Sequence, residues 1–343
     1  MVAGDWVTVG IDNGGTANNG TVLDADGRFL VDALMELPSL VREGPDKAIQ
    51  ALVDSFEAVL DLAGVSRERV RAVGLDTPGP ASATGVLAMG GATNFGHPGW
   101  DRFDIRSALE ARLGIPVLYN NDGNAATLYA HHVRHGADSG VRGSVSAIIG
   151  TGFGAGVITG GRIVTGAAGF AGELGHLPIS MAGLLEPDQP VPSCNCGLDA
   201  DAESVASLTG IKRNLLPYWL TRYPDHELAA VPIETGAKLV RGFAERGDAM
   251  ALDIFRQQAV AIGRVFSISA KFTDPDTYFV GGGVIEAEPH FRDWFLDMVR
   301  ENTDFYPEQA AIAEITLVPD LDMAGARGSA IAAAGWVRDN PRP

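Results

Sequence analysis

Apolar and polar positions divide the chain into short strands, glycine turns and helices, and one series of them occurs twice. Residues 7–11 (VTVGI) form an apolar run that predicts a buried strand, and residues 20–23 predict a second one. DNGGT at 12–16 lies between them as a turn of glycines and short polar side chains, and DADG at 24–27 signals a hairpin. The series returns as a strand at 144–149, a glycine turn GTGFG at 150–154, a strand at 155–159 and a hairpin at Gly160–Gly161. Backbone N–H groups and a threonine hydroxyl in each turn can cradle phosphate oxygens. One Gly-rich turn is weak evidence, but two in matching places predict two similar α/β halves facing one cleft.

Between these repeats, Ile49, Leu52, Val53, Phe56, Val59 and Leu60 recur at helical spacing and predict a helix over 45–63. A strand at 69–75 runs into DTPGP, a rigid turn at a strand's carboxyl end, where open α/β sheets place ligands. Asn94 and Trp100 fall in a loop before a helix at 104–113. A strand at 115–119 then leads to Asn120, Asn121 and Asp122, followed by a helix at 123–132. Asp122 has two readings here: a general base at a strand end, or the cap of the helix that follows. Beyond Glu203 the pattern is mainly helical, with helices at 202–208, 235–246 and 248–272 and an irregular, Pro-containing region between 215 and 232. A strand at 277–280 enters Gly281, Gly282 and Gly283, then come a helix at 288–302 and a strand at 315–318. The last helix, 324–337, is rich in Ala and Gly, which permits close packing against a neighbour.

Composition narrows the function. At 343 residues the chain has room for two domains, and 46% hydrophobic with 20% charged residues is ordinary for a soluble globular protein. A net charge of −17 argues against nucleic acid and anionic membranes as partners. It is compatible with a phosphorylated small molecule held by backbone N–H groups and Mg²⁺. The first five residues have no basic start and the apolar runs are short, so the expectation is a cytoplasmic protein with no secretory leader or membrane span. The stretch GAAGFAGELGH at 166–176 holds too many glycines for a regular element, and it presents Glu173 and His176 from one turn. Cys194, Cys196 and Glu203 follow in CNCGLDADAE. Carboxylates and an imidazole together suit a neutral, polyhydroxylated ligand; the plainer alternative is a Gly-rich surface loop with incidental charges.

Together these residues resemble the ROK family of sugar kinases and sugar-responsive repressors. The resemblance is carried by DNGGT at 12–16, TPGP at 77–80, Asn94 with Trp100, NNDGNAA at 120–126, GTGFGAG at 150–156, GAAGFAGELGH at 166–176, CNCG with Glu203, and VGGGV at 280–284. It implies an α/β fold of two actin-like, hexokinase-like domains with a cleft between them. The expected division is a smaller domain over 1–122, completed by 324–343, and a larger one over 123–323. The resemblance also implies ATP-dependent phosphorylation of a hexose, glucose or a close relative, at its 6-hydroxyl, in a homodimer. Asp122 matches the base. Asn94, Asn121, Asp122, Glu173, His176 and Glu203 match positions that hold the sugar. Asp12, Gly14, Gly15, Thr16, Gly150, Thr151, Gly152 and Gly154 match the loops for phosphate and Mg²⁺, and Gly281, Gly282 and Gly283 the turn near adenosine.

Two departures are visible. The family's zinc site uses His and three Cys in C-x-C-G-x-x-G-C, whereas here Asp201 takes the third cysteine's place and Ala200 the preceding glycine's. Asp is a legitimate zinc ligand, so His176, Cys194, Cys196 and Asp201 can still make a tetrahedral Zn²⁺ site; the alternative is a metal-free loop held by hydrogen bonds. Many relatives place a lysine soon after the first glycine turn, but Ala17, Asn18 and Asn19 bring no positive charge. The loss of this lysine and of a zinc cysteine motivates a rival reading, a sugar-binding sensor without turnover. Other hexoses, N-acetylhexosamines among them, stay open as substrates. A polyphosphate donor is disfavoured by the lack of net basic charge. The DNA-binding region of family repressors has no room in the eleven residues before Asp12.

Overall fold

The computed structural model describes residues 5–77, 84–87, 95–319 and 322–341. Two five-stranded sheets carry the fold, and they share one topology. In the first, β1 (Val7–Asn13) pairs antiparallel with β2 (Ala17–Asp24), which pairs with the short β3 (Glu36–Pro38). On its other side β1 runs parallel to β4 (Val70–Thr77), and β4 parallel to β5 (Val117–Asn121). The second sheet repeats this with β6 (Ser144–Ile149), β7 (Phe153–Thr159), β8 (Arg162–Ile163), β9 (Thr277–Gly282) and β10 (Glu314–Leu317), in the order β10-β9-β6-β7-β8. The chain is therefore mixed α/β with a duplicated sheet, as the repeated strand and turn series predicts.

It divides into two compact units, one of residues 1–137, 163–172 and 319–343, the other of 138–162 and 173–318. The first unit thus extends past Asp122 and includes α3 (Asp122–His135).

Alternating side chains give the first sheet two different faces. Val7, Val9 and Ile11 of β1 and Val73 and Leu75 of β4 form a core with Ile49, Leu52, Phe56 and Val59 of α1 (Pro45–Ala63) and Ile105 and Leu109 of α2 (Ile105–Leu113). Both helices have the ends their sequence dictates. Gly64 closes α1 in the left-handed conformation, and the Asp104 carboxylate caps α2 by accepting from the Ser107 N–H at 2.8 Å. The opposite face is nearly flat. A Cβ on Gly10 would lie 1.9 Å from the Ala326 carbonyl oxygen, and one on Gly74 1.9 Å from that of Ser329. These glycines admit the backbone of the C-terminal helix (Ala324–Asp339), and Thr8 Oγ1 donates to its Ala330 carbonyl at 3.0 Å. Gly328 of that helix packs on α3, where a Cβ would come within 1.8 Å of the Ala125 carbonyl oxygen.

In the second unit the long helix Ala249–Phe272 is capped by Asp248, whose carboxylate accepts from the Ala251 N–H at 2.8 Å. Its Phe255 meets Phe291 of the helix Pro289–Glu301 edge-on at 5.0 Å, and its Phe266 lies 5.2 Å from Tyr278 of β9.

Two expectations need correction. The fifth strand runs over Val117–Asn121 rather than 115–119. Pro116 has no N–H for the ladder, and pairing with β4 carries on through polar residues to Thr77 opposite Asn121. The region between 215 and 232 is not irregular throughout, because Leu216–Arg222 is a helix. Its proline lies just past the π-helical turn Ile211–Leu215, where the helical hydrogen-bond register already changes.

Gly328→Ala should expose the tight helix contact in the first unit. Overpacking there is expected to cost about 1–3 kcal/mol, read as a lowered melting temperature, because neither backbone can yield without disturbing the sheet. Unchanged melting would show that the helices separate freely.

Candidate functional site

Parallel register builds the acidic part of the first unit. Asp12 of β1 is paired with Asp76 of β4, and Asp76 with Asn120 of β5, all near the strands' carboxyl ends. Asp122 follows as the first residue of α3. Asp76 is 1% exposed, and its Oδ1 accepts from Ser329 Oγ at 3.1 Å while its buried Oδ2 has no hydrogen-bond partner. Burial pushes the Asp12 carboxyl up to about 6, the Asp122 charge adds to this, and a hydrogen bond from Asn19 opposes it. Asp76 is raised further, first by burial and then by Asp12 and Asp122. Asp122 stays accessible to solvent, yet the surrounding protein desolvates it enough to raise its pKa.

The cap of α3 is Asn121, whose Oδ1 accepts from the Asn124 N–H at 2.8 Å. Asp122 instead accepts from the adjacent Gly123 N–H at 2.8 Å. The helix therefore does not depend on Asp122 as its cap. The turn after β1 is closed by a Gly14 N–H to Ala17 carbonyl bond of 2.9 Å and leaves Thr16 exposed. Asn18, near the place of the family's lysine, points inward. It accepts from Asn13 Nδ2 at 2.6 Å and donates to Ser55 Oγ of α1 at 3.2 Å. Asn94 and residues 78–80 of the TPGP motif lie outside the described residues.

The second unit gathers the other candidates around the β6–β7 turn. Gly150 and Thr151 are exposed, the Gly150 N–H donates to the Gly152 carbonyl at 3.0 Å, and Gly154 already lies in β7. Glu203 supports the turn from behind. Its Oε2 accepts from the Phe153 N–H at 2.8 Å and its Oε1 from the Cys194 thiol at 3.5 Å. The GAAGFAGELGH stretch divides at the unit boundary, with 166–172 in the first unit and Glu173 and His176 in the second. Three of its glycines, Gly166, Gly169 and Gly172, have positive φ, which accounts for their number. The Asp201 hydrogen bond, aided by the charges of Glu203, Asp201 and Glu173, raises the His176 pKa against the desolvation that lowers it. Gly282 has φ 92° and lies against the Ile149 backbone of β6. The adjoining Gly283 carbonyl accepts from the Arg241 guanidinium, a partner with no sequence motif to announce it.

The ligating atoms of His176, Cys194, Cys196 and Asp201 all lie within 4.8 Å of one another. His176 Nδ1 is 3.0 Å from Asp201 Oδ2 and 3.8 Å from Cys194 Sγ, and Cys196 Sγ is 3.4 Å from Asp201 Oδ2. Tetrahedral Zn²⁺ with N, O and S ligands needs edges of about 3.3–3.8 Å, so this donor set fits the ion after small adjustments. The short backbone bridges Pro178–Asp201 and Ser193–Asp199 fold the loop, and the Ser204 N–H fixes Asp201 Oδ1 at 2.8 Å. Burial raises the Asp201 pKa, but hydrogen bonds from His176, both thiols and the Ser204 backbone outweigh it and keep the carboxylate ionised.

The two sheets agree with the family match, whose model spans residues 8–335. The chain belongs to the ROK family. A glucokinase from Halalkalibacterium halodurans is 30% identical to this ROK protein over 309 residues, 87% of this chain and 88% of the relative. The ROK hexokinase structure from Thermus thermophilus is 30% identical, with a TM-score of 0.75 over 97% of this chain and 99% of that one. A ROK family glucokinase from Streptomyces griseus, solved with glucose and AMPPNP, is 26% identical, with a TM-score of 0.66 over 96% and 99% of the two chains. Among the described residues of this ROK chain, no helix is long and apolar enough to cross a membrane.

Two measurements probe these groups. Protein prepared without chelator should carry about one equivalent of zinc, and Asp201→Ala should lose most of it; metal analysis of both proteins checks this, and zinc-free wild type would contradict it. The second concerns Asp12, whose folded pKa of about 6 lies above its ordinary 3.8. The folded protein holds a proton there that the unfolded chain releases, so its stabilising effect is lost as pH rises through the folded value. With EDTA present, Asp12→Asn should melt above wild type beyond about pH 6, the gap closing below about pH 4. A gap independent of pH would exclude this linkage.

Proposed function

We propose that this ROK protein transfers the γ-phosphoryl group of ATP to a hexose, with glucose the first candidate and the 6-hydroxyl the acceptor. The observation that carries the reading is Asp122. It is an accessible carboxylate with a raised pKa at the start of α3, and the capping role it could have served belongs to Asn121. Family membership and the kinase relatives support the same chemistry.

Phosphoryl transfer asks a protein mainly for positioning and charge stabilisation. Asp122 accepts the proton of the attacking hydroxyl, and its raised pKa brings its basicity nearer the working pH. Glu173 and His176 take hydroxyls of the sugar. Glu203 also belongs to the sugar set, and it orients the β6–β7 turn through the Phe153 N–H. The turns at Gly14, Gly15 and Thr16 and at Gly150, Thr151 and Gly152 offer N–H groups and hydroxyls to phosphate oxygens, while Gly281, Gly282 and Gly283 face the adenosine. Asp12 supplies the hard oxygen donor that suits Mg²⁺, and the unpartnered Asp76 Oδ2 shows that this corner has acceptor capacity to spare. When bound, Mg²⁺ offsets charge on the β- and γ-phosphates. Zn²⁺ on His176 Nδ1 would fix the ring and leave Nε2 for the sugar.

A coupled assay of ADP release over glucose, mannose, fructose and N-acetylhexosamines tests the activity. Asp122→Asn should lower kcat by roughly 10²–10⁴-fold while sugar affinity and melting temperature change little. Turnover close to wild type in that variant would remove the base assignment. Wild-type protein inactive on every sugar but still binding one would favour the sensor.

A further inference from the structure

Asp76 opens the DTPGP turn and is given no role of its own by the sequence, yet it is the most buried of the three carboxylates. Register brings it beside Asp12 on parallel strands. Its Oδ1 is engaged by Ser329 at 3.1 Å, but its Oδ2, buried in the same corner, receives no donor. Residue 325 on the C-terminal helix determines what lies in front of that oxygen. A Cβ there would sit 2.8 Å from Asp76 Oδ2, 2.9 Å from Asp12 Oδ2 and 2.8 Å from Asp12 Cγ. An oxygen from each carboxylate therefore faces the Gly325 Cα, where any larger residue would crowd both. Gly325 has no positive φ, so its backbone conformation would accept alanine; the lack of a side chain matters here for space.

Charge agrees with this geometry. Among the described residues no Lys or Arg offsets the charge of Asp12, Asp76 or Asp122. The nearby N-terminus of the C-terminal helix contributes about half a positive charge, too little to balance three carboxylates. A small divalent cation with oxygen ligands does so, and Mg²⁺ commonly takes one or two carboxylates, with water and phosphate completing its shell.

We propose that Asp76 is a second protein carboxylate for the divalent cation that accompanies the nucleotide, sharing it with Asp12, while Gly325 keeps side-chain atoms away from both oxygens. The inference rests on the kinase reading and adds a residue to it. It also gives this chain, which lacks a lysine after its first glycine turn, a second side chain acting on the phosphate charge through the cation.

The test uses Mn²⁺ as the probe, titrated alone and with AMPPNP in the absence of sugar, with free Mn²⁺ read by electron paramagnetic resonance. Asp76→Asn keeps the side chain's shape and its contact with Ser329, and should weaken Mn²⁺ binding by about 10–100-fold. Gly325→Ala crowds both carboxylate oxygens without removing either, and should weaken Mn²⁺ in the same direction. AMPPNP binding in EDTA should match wild type in both variants. A cooperatively melting Asp76→Asn that holds Mn²⁺ as tightly as wild type overturns the proposal and makes Asp76 structural. Should that variant fail to fold, Gly325→Ala decides the question by the same comparison. Wild type that fails to bind AMPPNP removes the kinase reading itself, and with it this inference; normal AMPPNP binding with unaltered Mn²⁺ affinity removes the inference alone.

Discussion

The contact between the C-terminal helix and the glycine face of the first sheet is the constraint on which the acidic corner depends. Gly10 and Gly74 let the helix backbone approach until carbonyl oxygens occupy the space of absent side chains. At that distance Ser329 reaches Asp76, and Gly325 lies against both Asp12 and Asp76. Packing and electrostatics are thus set by one approach. A bulkier residue at position 10 or 74 would push the helix away and take the Ser329 hydroxyl from Asp76, a costly loss for a buried carboxylate.

Much of this arrangement can be read from the sequence because it is periodic. Strand runs of period two, the helix at 45–63 and the two glycine turns identify themselves locally, and their recurrence predicts the duplicated sheet. What cannot be read depends on register or on competition between neighbours. Asp76 reads as the start of a rigid turn, since nothing local says that β1 and β4 align it with Asp12. Asn121 and Asp122 are equally good caps by residue type, and only the backbone geometry assigns that bond to Asn121. The helix Leu216–Arg222 is hidden by a proline that sits where a π-helical turn passes into α-helix. Arg241 lies forty-two residues before the Gly283 carbonyl it holds, without a motif of its own.

The two units manage charge in different ways. In the first, three carboxylates share a corner with few donors, and desolvation raises all three. In the second, Asp201 is buried but surrounded by donors from His176, both cysteines and Ser204, and it stays ionised. The same side-chain type therefore serves as a proton or cation acceptor in one place and as a fixed anion in the other. Neighbouring donors make that difference.

The first unit is assembled from both ends of the chain, 1–137 with 163–172 and 319–343. This has a consequence for biosynthesis. As the polypeptide leaves the ribosome, β1 and β4 can pair early, but the helix that covers Gly10 and Gly74 emerges only after the whole second unit. The apolar and carboxylate surface of that sheet must wait, uncovered, until residues 324–339 emerge, and the second unit can fold within that interval. The acidic corner is thus completed only once residues 324–339 have been made, so a chain that stops before them carries the strands without the corner they build.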